Sequence, residues 1–465
     1  MSALRTTLRW LMWATTAIVA VPVLLYAFAF AVNWRDQPPN AEALDLAAAP
    51  LPELIPDSAN AYVYLLGFAA PRVGDPVIVG TQRADWIRAL AANSTVDRAS
   101  DPYPGSARDF QEIPEPLMTI LAACGAPDAG CVAALEAAGD LRAQLEEQRP
   151  LIERYRTLLG YRAWRDITTG DLRGPLMSYL EPHYAHRLFL LDTWLLAATG
   201  DAKQVESRLE ADVAFWRMAL VESDSLWSKV IAAGSVSSHF DWGNLILRHL
   251  PPERRADGVP ATWRKTISGT ERSMRRAFAY EWRFSRSALL STKAYGTGLP
   301  LRPGAQDSRS WGERIETSLA WPFLKVQDTV NRDAAALSKL DTLLALPYTD
   351  FATAFAKVPE IGQRETGIVA VTYNFFGTSL FLIPERTTAF ADYGARVADL
   401  EGVRRAALMT VDLRNLAVPA TLAGAMIPLA AVRDPYTGGP FGWTAEPPAV
   451  TFTGLEHRPA HSFLY

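Results

Sequence analysis

The chain has 465 residues, 49% of them apolar and 21% charged, with a formal net charge of −4. That is too apolar for a disordered chain and too nearly neutral for a polyanion binder, and no basic stretch interleaved with aromatics points to nucleic acid. Roughly 400 residues beyond the N-terminal apolar segment suffice for two or three packing units or one extended helical body.

Trp10 to Val32 is one uncharged apolar run, preceded by Arg5 and Arg9 and followed by Asn33, Trp34, Arg35 and Asp36. As a helix it spans about 34 Å, against about 30 Å of bilayer hydrocarbon. The arginines before it place residues 1–9 in the cytoplasm and export the body of the chain. Trp10 and Trp34 stand where amphipathic rings favour the membrane interface. Ala27-Phe28-Ala29 fits a signal-peptidase site, so a cleaved signal peptide is the alternative. The run exceeds a typical signal core, and the reading adopted is a retained signal-anchor at 10–32.

Residues 33–57 are rich in Ala and Pro, with Pro38, Pro39, Pro50, Pro52 and Pro56, and are expected to form an extended spacer that holds the body off the membrane. Asn60 to Gly67 reads as a short strand or a buried helix end. Cys124 and Cys131 are the two cysteines of the chain. The Gly-Ala-Pro-Asp-Ala-Gly between them lets the chain double back. In an oxidising periplasm they form a structural disulfide, restraining the unfolded chain by roughly 2–3 kcal/mol.

From Ala129 to Leu250 the pattern is helical. Val205, Leu209, Val213, Trp216 and Leu220 share one face of a helix from Asp201 to Glu222. Gly200-Asp201 separates it from a helix at about Tyr184 to Ala198, which predicts an αα-hairpin. A third helix fills Ser225 to Leu250 and ends at Pro251-Pro252. A fourth is expected over Ala261 to Thr292. The Gly- and Pro-rich stretch at 295–312 reads as a linker, and 313–465 as a second helical region. Within it, the uncharged stretches Gly367 to Ile383 and Leu416 to Val432 are too short to be further spans and are expected to be buried core. Asp434 to Pro440 reads as a turn, followed by a short strand.

Candidate chemistry is sparse. His183 and His186 lie three apart near Glu181, a helical spacing from which two imidazoles can approach one metal. A zinc site needs a third ligand that the sequence does not place. Nucleophile-elbow, Ser-x-x-Lys, His-Glu-x-x-His and phosphate-loop signatures are missing. Arg272, Arg275, Arg276, Arg283 and Arg286 form a stripe on the fourth helix that could meet phosphate head groups bidentately. The plainer reading is a solvated face neutralised by Glu271 and Glu281. No cofactor is implied.

Several pieces together carry a resemblance: the anchor, Asn60-Ala61-Tyr62 with Leu66-Gly67-Phe68, Asp75-Pro76 with Gly80, the cysteine pair followed by Arg154-Tyr155, Phe215-Trp216-Arg217, Tyr373-Asn374-Phe375-Phe376-Gly377, and the Asp434-Pro435 loop. They resemble a family of uncharacterised proteobacterial membrane-anchored envelope proteins. The resemblance implies architecture and compartment and assigns no residue a catalytic role.

The expectation is therefore a mainly α protein. A single N-terminal transmembrane helix carries a multi-helix, solenoid-like periplasmic body of αα-hairpins (58–294 and 313–465) with a small C-terminal β or irregular element. Its expected role is a non-catalytic envelope scaffold or interaction protein with a protein partner. The alternatives are a cell-envelope hydrolase of wall polymer or lipid, and an anionic-lipid-contacting protein.

Overall fold

A computed structural model describes residues 2–49, 55–92, 103–105, 113–170, 173–295, 311, 321–361, 372–380, 383–456 and 459–465. The apolar run forms α1 (Ser2–Val32), with Pro22 inside it. Trp13, Ile18, Val23 and Leu24 are all exposed, so this helix buries almost nothing of itself on the protein. It is long and apolar enough to cross a membrane.

The segment after α1 is not an extended spacer. It holds α2 (Ala41–Ala47), whose cap Asn40 accepts a hydrogen bond from Ala43 N at 2.8 Å, and whose Ala43 and Leu46 are buried. Pro38 and Pro39 precede the cap and Pro50 follows the helix, so the prolines bracket a helix instead of interrupting one. Residues 50–54 lie outside the described set.

The ambiguous Asn60–Gly67 stretch is helical. It forms α3 (Ala61–Leu66), every residue of which is buried, and packs on α4 (Pro76–Ala92). The two backbones touch: a Cβ on Gly67 would lie 1.9 Å from Pro76 O and one on Gly80 2.0 Å from Val63 O, so only glycine fits at either position. Then come α5 (Glu115–Ala123), α6 (Ala129–Ala137), α7 (Leu141–Glu147) and α8 (Arg149–Leu159). The expected hairpin is α9 (Leu180–Ala197) and α10 (Ala202–Glu222). Gly200 at φ 81° turns the chain, and the Asp201 side chain accepts from Gln204 N at 3.1 Å to start α10. The third helix is α11 (Leu226–His249).

The expected fourth helix is broken into a 3-10 turn at Ala261–Arg264, α12 (Gly269–Arg272) and α13 (Arg275–Tyr295). A capping box causes the break: Ser268 Oγ takes the Glu271 N–H, and the Glu271 carboxylate takes the Ser268 N–H at 2.7 Å. Apart from Tyr295 and Trp311, the 295–312 linker lies outside the described residues. Beyond it come α14 (Val326–Leu344), α15 (Tyr348–Phe355), α16 (Phe375–Leu380), α17 (Ile383–Asn415) and α18 (Ala420–Met426). An antiparallel sheet in the order β1 (Gly442–Ala445), β2 (Pro448–Phe452), β3 (His461–Leu464) closes the chain.

α17 is the spine. Its 33 residues run about 50 Å and pack on α11, α14, β2 and β3. One cluster of buried apolar side chains extends from Ala43 to Phe463 and joins helices on both sides of 295–312. Neither uncharged stretch is simply core. Of the first, part lies outside the described residues and Phe375 is exposed; in the second, Ala423 and Ile427 are buried while Leu416, Leu422 and Leu429 are exposed. Lack of charge marks both as apolar without saying which side faces the protein.

Candidate functional site

Cys124 and Cys131 are disulfide-bonded across the turn between α5 and α6, with both side chains buried. The two candidate histidines diverge: His183 is exposed in the first turn of α9, whereas His186 is buried and faces α10. Among the described residues no group of three His, Cys, Asp or Glu is placed to hold a metal.

His186 belongs instead to a hub whose centre sequence reading missed. Asp212 lies on the apolar face of α10 between Leu209 and Trp216, and it is fully buried. Its Oδ1 accepts the Tyr155 hydroxyl at 2.5 Å; its Oδ2 meets His239 Nδ1 at 2.7 Å and His186 Nε2 at 3.2 Å. Trp216 Nε1–H donates to the Tyr155 oxygen at 2.7 Å, and Trp263 Nε1–H donates to His239 Nε2 at 2.8 Å. An indole can only donate, so His239 Nε2 is bare and its proton sits on Nδ1, aimed at Asp212. Burial alone would raise the Asp212 carboxyl; its contacts with His186 and His239 outweigh it and hold the group below the usual carboxylate range. Burial and the neighbouring Asp212 push the Tyr155 hydroxyl well up. Four helices and a 3-10 turn are thereby tied at one carboxylate. A charged residue inside an apolar helical stripe was the available signal.

The arginine stripe turns inward. Arg272 donates to Leu346 O at 2.7 Å and lies over the Tyr348 ring at 4.5 Å. Arg275 pairs with Asp45 at 2.5 Å, and Arg276 with Asp224 at 2.6 Å. Arg283 donates to Ala49 O at 2.9 Å, at the end of the α2 segment. Arg286 is exposed. The stripe thus clamps α2 and the α10–α11 corner, and four of its five members are occupied by the protein itself.

Compared with protein-family models, curated protein sequences and solved structures, the chain matches none. Function therefore has to be read from the geometry.

Two acids, the buried Asp333 and the half-buried Glu281, carry unusual electrostatics. Asp333 on α14 is pushed up to about 6 by burial, partly offset by Arg386 on α17, whose Nη2 lies 3.7 Å from Oδ2. Burial also raises Glu281 on α13, again opposed by Arg386. Arg386 Nη2 donates to Ser285 Oγ at 2.9 Å. A carboxyl held near 6 can store or release a proton around neutral pH.

Below this cluster, the chain leaving α1 is locked to the body. Asn33, buried at the end of α1, donates to Ala29 O at 2.9 Å and Thr372 O at 2.8 Å, and accepts from Asn374 N at 2.8 Å. Asn374 sits at φ 52°, a left-handed position that asparagine tolerates. Its side chain donates to Asp328 Oδ2 at 2.7 Å and Thr329 Oγ1 at 2.8 Å, and accepts from Lys325 N at 2.8 Å. Asp36 accepts from the N–H groups of Gln327 and Asp328, both at 3.0 Å, capping α14 from outside. Asn331 Nδ2 donates to Pro38 O at 2.8 Å. The bonds from the residues leaving α1 to the body are not legible in sequence, since those partners lie some 290 to 340 residues apart.

Proposed function

We propose that the protein is a membrane-anchored scaffold. In this reading α1 crosses the bacterial inner membrane with residues 1–9 in the cytoplasm. The helical body stands in the periplasm at a fixed attitude and recruits an envelope protein. The charge order around α1 and the Cys124–Cys131 bond support that compartment. The joint at Asn33, Asp36, Asn331 and Asn374 carries the scaffold reading. A swinging tether needs no hydrogen bonds to its cargo; here the linker is bonded at Asn33, Asp36, Pro38 and Asn40 to the first turns of α14 and the Asn374 turn. The test is mild cross-linking in native membranes, followed by detergent extraction and determination of the mass and components of the complex. A stoichiometric partner, lost when Asn33 and Asn374 are both replaced by Ala, supports the reading. A lone monomer refutes it.

A cell-envelope enzyme is the second reading, and Glu281 with Asp333 is what favours it, because carboxyls shifted upward by burial mark many acid–base sites. Turnover of wall polymer or phospholipid that vanishes in Asp333→Asn would replace the scaffold reading. For contact with anionic lipid Arg286 remains available; Arg275 and Arg276 are already paired. Anionic-liposome binding abolished by Arg275→Glu with Arg276→Glu would restore that reading.

A further inference from the structure

The joint fixes more than an angle, because it sets the depth of the residues beside it. Tyr26 lies seven residues before Asn33, hence about 10 Å down the axis of α1. At that level its ring meets the Phe323 ring edge-on at 5.4 Å between centroids. Phe323 ends the 3-10 turn Trp321–Phe323, which packs against α1, and α16 packs in turn on that turn. Nothing charged occurs from Trp321 to Leu324 or from Thr372 to Leu380. The turn closes its own backbone, Leu324 N donating to Trp321 O at 3.1 Å. Phe375, on α16, keeps 48% of its surface exposed, although the body has a large core in which to bury it.

We infer that the turn Trp321–Phe323 and α16 form a wedge seated in the outer leaflet beside α1, with lipid as the medium that covers Phe375. The inference rests on the reading of α1 as a membrane-crossing helix. A ring set edge-on against Tyr26 then lies within the hydrocarbon, because the apolar run continues to Val32 above it. Trp34 stands just beyond the apolar run, at the level that interfacial tryptophans favour. Asn374 closes the wedge on the water side, where its bonds to Asp328, Thr329 and Lys325 hold α16 in place. The body is thus held by two membrane contacts, one that spans and one that dips, and two contacts set its tilt where one helix would leave it free to swivel.

The test uses the full-length protein in phosphatidylcholine–phosphatidylglycerol vesicles. The native cysteines are bonded to each other, so a single introduced cysteine takes an environment-sensitive fluorophore. The positions are Phe375→Cys, Ser379→Cys as a second exposed site on α16, Leu24→Cys on α1 and Leu429→Cys on the far segment, 67% and 75% exposed respectively for the last two. Lipids carrying a nitroxide high on the acyl chain act as quencher. The wedge predicts a blue-shifted emission at Phe375 and Ser379 that falls by roughly half or more, as expected for groups some 5–10 Å into the interface. Leu24 is quenched by nitroxides deeper in the chain, and Leu429 is not quenched. Should Leu24 respond while Phe375 and Ser379 do not, the wedge is wrong and the anchor stands; that is also the result if a second copy of the chain covers α16. A silent Leu24 removes the anchor reading and the wedge with it.

Discussion

Replacing Asp333 by Asn should make the protein more stable at neutral pH, against the usual direction for a buried polar substitution. In the unfolded chain an aspartate titrates near 3.9; here burial moves it to about 6. Between those values the folded chain holds more protons than the unfolded one, so stability falls as pH rises through the window and stays low above it. The difference corresponds to roughly 3 kcal/mol at pH 7. The attraction to Arg386 at 3.7 Å is already included, and it is lost in the amide. We therefore expect a gain of about 3 kcal/mol at pH 7.5 that shrinks to about 1 kcal/mol at pH 4.5. Equilibrium denaturant unfolding of the full chain in detergent, at both pH values, reads this as a midpoint shift that depends on pH. Wild type and variant share every other titrating group, so the difference between them isolates Asp333. If Asp333→Asn is equally destabilised at both pH values, Asp333 is ionised and held as the counter-ion of Arg386, and burial does not govern its titration.

Tyr155→Phe strips Asp212 of one donor and leaves the Trp216 N–H without an acceptor; two unmet buried groups cost about 2–5 kcal/mol. Adding Trp216→Phe should cost less than its own single-mutant value, and additive unfolding energies would show that the two side chains do not share a network. Asn374→Ala should destabilise more than Asn374→Gly by roughly 1 kcal/mol, because glycine relieves the φ of 52° while both lose the same hydrogen bonds; equal losses by hydrogen exchange of the α14 N-terminus would remove backbone strain from the account. Reductant should lower stability by about 2–3 kcal/mol, and a Cys124→Ala, Cys131→Ala variant should be insensitive to it.

What the sequence makes legible here is whatever depends on neighbours along the chain. The α9–α10 hairpin is announced by Gly200 and Asp201, the long apolar helix α1 by an uncharged run of helical length, and the disulfide by two cysteines across a turn. Two other local signals run against periodicity and composition. Ser268-x-x-Glu271 is a capping box, and it divides what periodicity alone makes one helix. The prolines after α1 suggest an extended chain by their number, but their positions leave Asn40 to Ala48 free to form α2. The hub and the acid pair are illegible for a different reason. Asp212 takes its partners from α8, α9 and α11, and Arg386 reaches across 101 residues to Ser285, so the pattern exists only after the helices have packed.

These tie points are not scattered. They fall along α17 from foot to tip. At its first turn Arg386 engages Ser285 and Asp333. In its middle Glu401, fully buried, takes both Arg404 and Arg405 and the Ile267 N–H, while Arg404 donates to Trp263 O at 2.7 Å. Trp263 is the residue that fixes the His239 tautomer, so the spine and the Asp212 hub meet at one indole. In the last turn Arg414 donates to Asn244 Oδ1 at 2.6 Å and to Leu464 O, binding α11 and β3 to the same helix. Buried charged groups are expensive ways to hold helices together, and apolar packing of similar volume often holds them as well. Their distinctive contribution is register: an arginine that must find one carbonyl fixes a helix along its axis, where leucines tolerate sliding. A chain that fixes register along a 50 Å helix, and bonds the foot of that helix bundle to the residues leaving α1, has the build of a strut. That is the physical content of the scaffold reading, and it explains why the strongest polar chemistry in the body points inward.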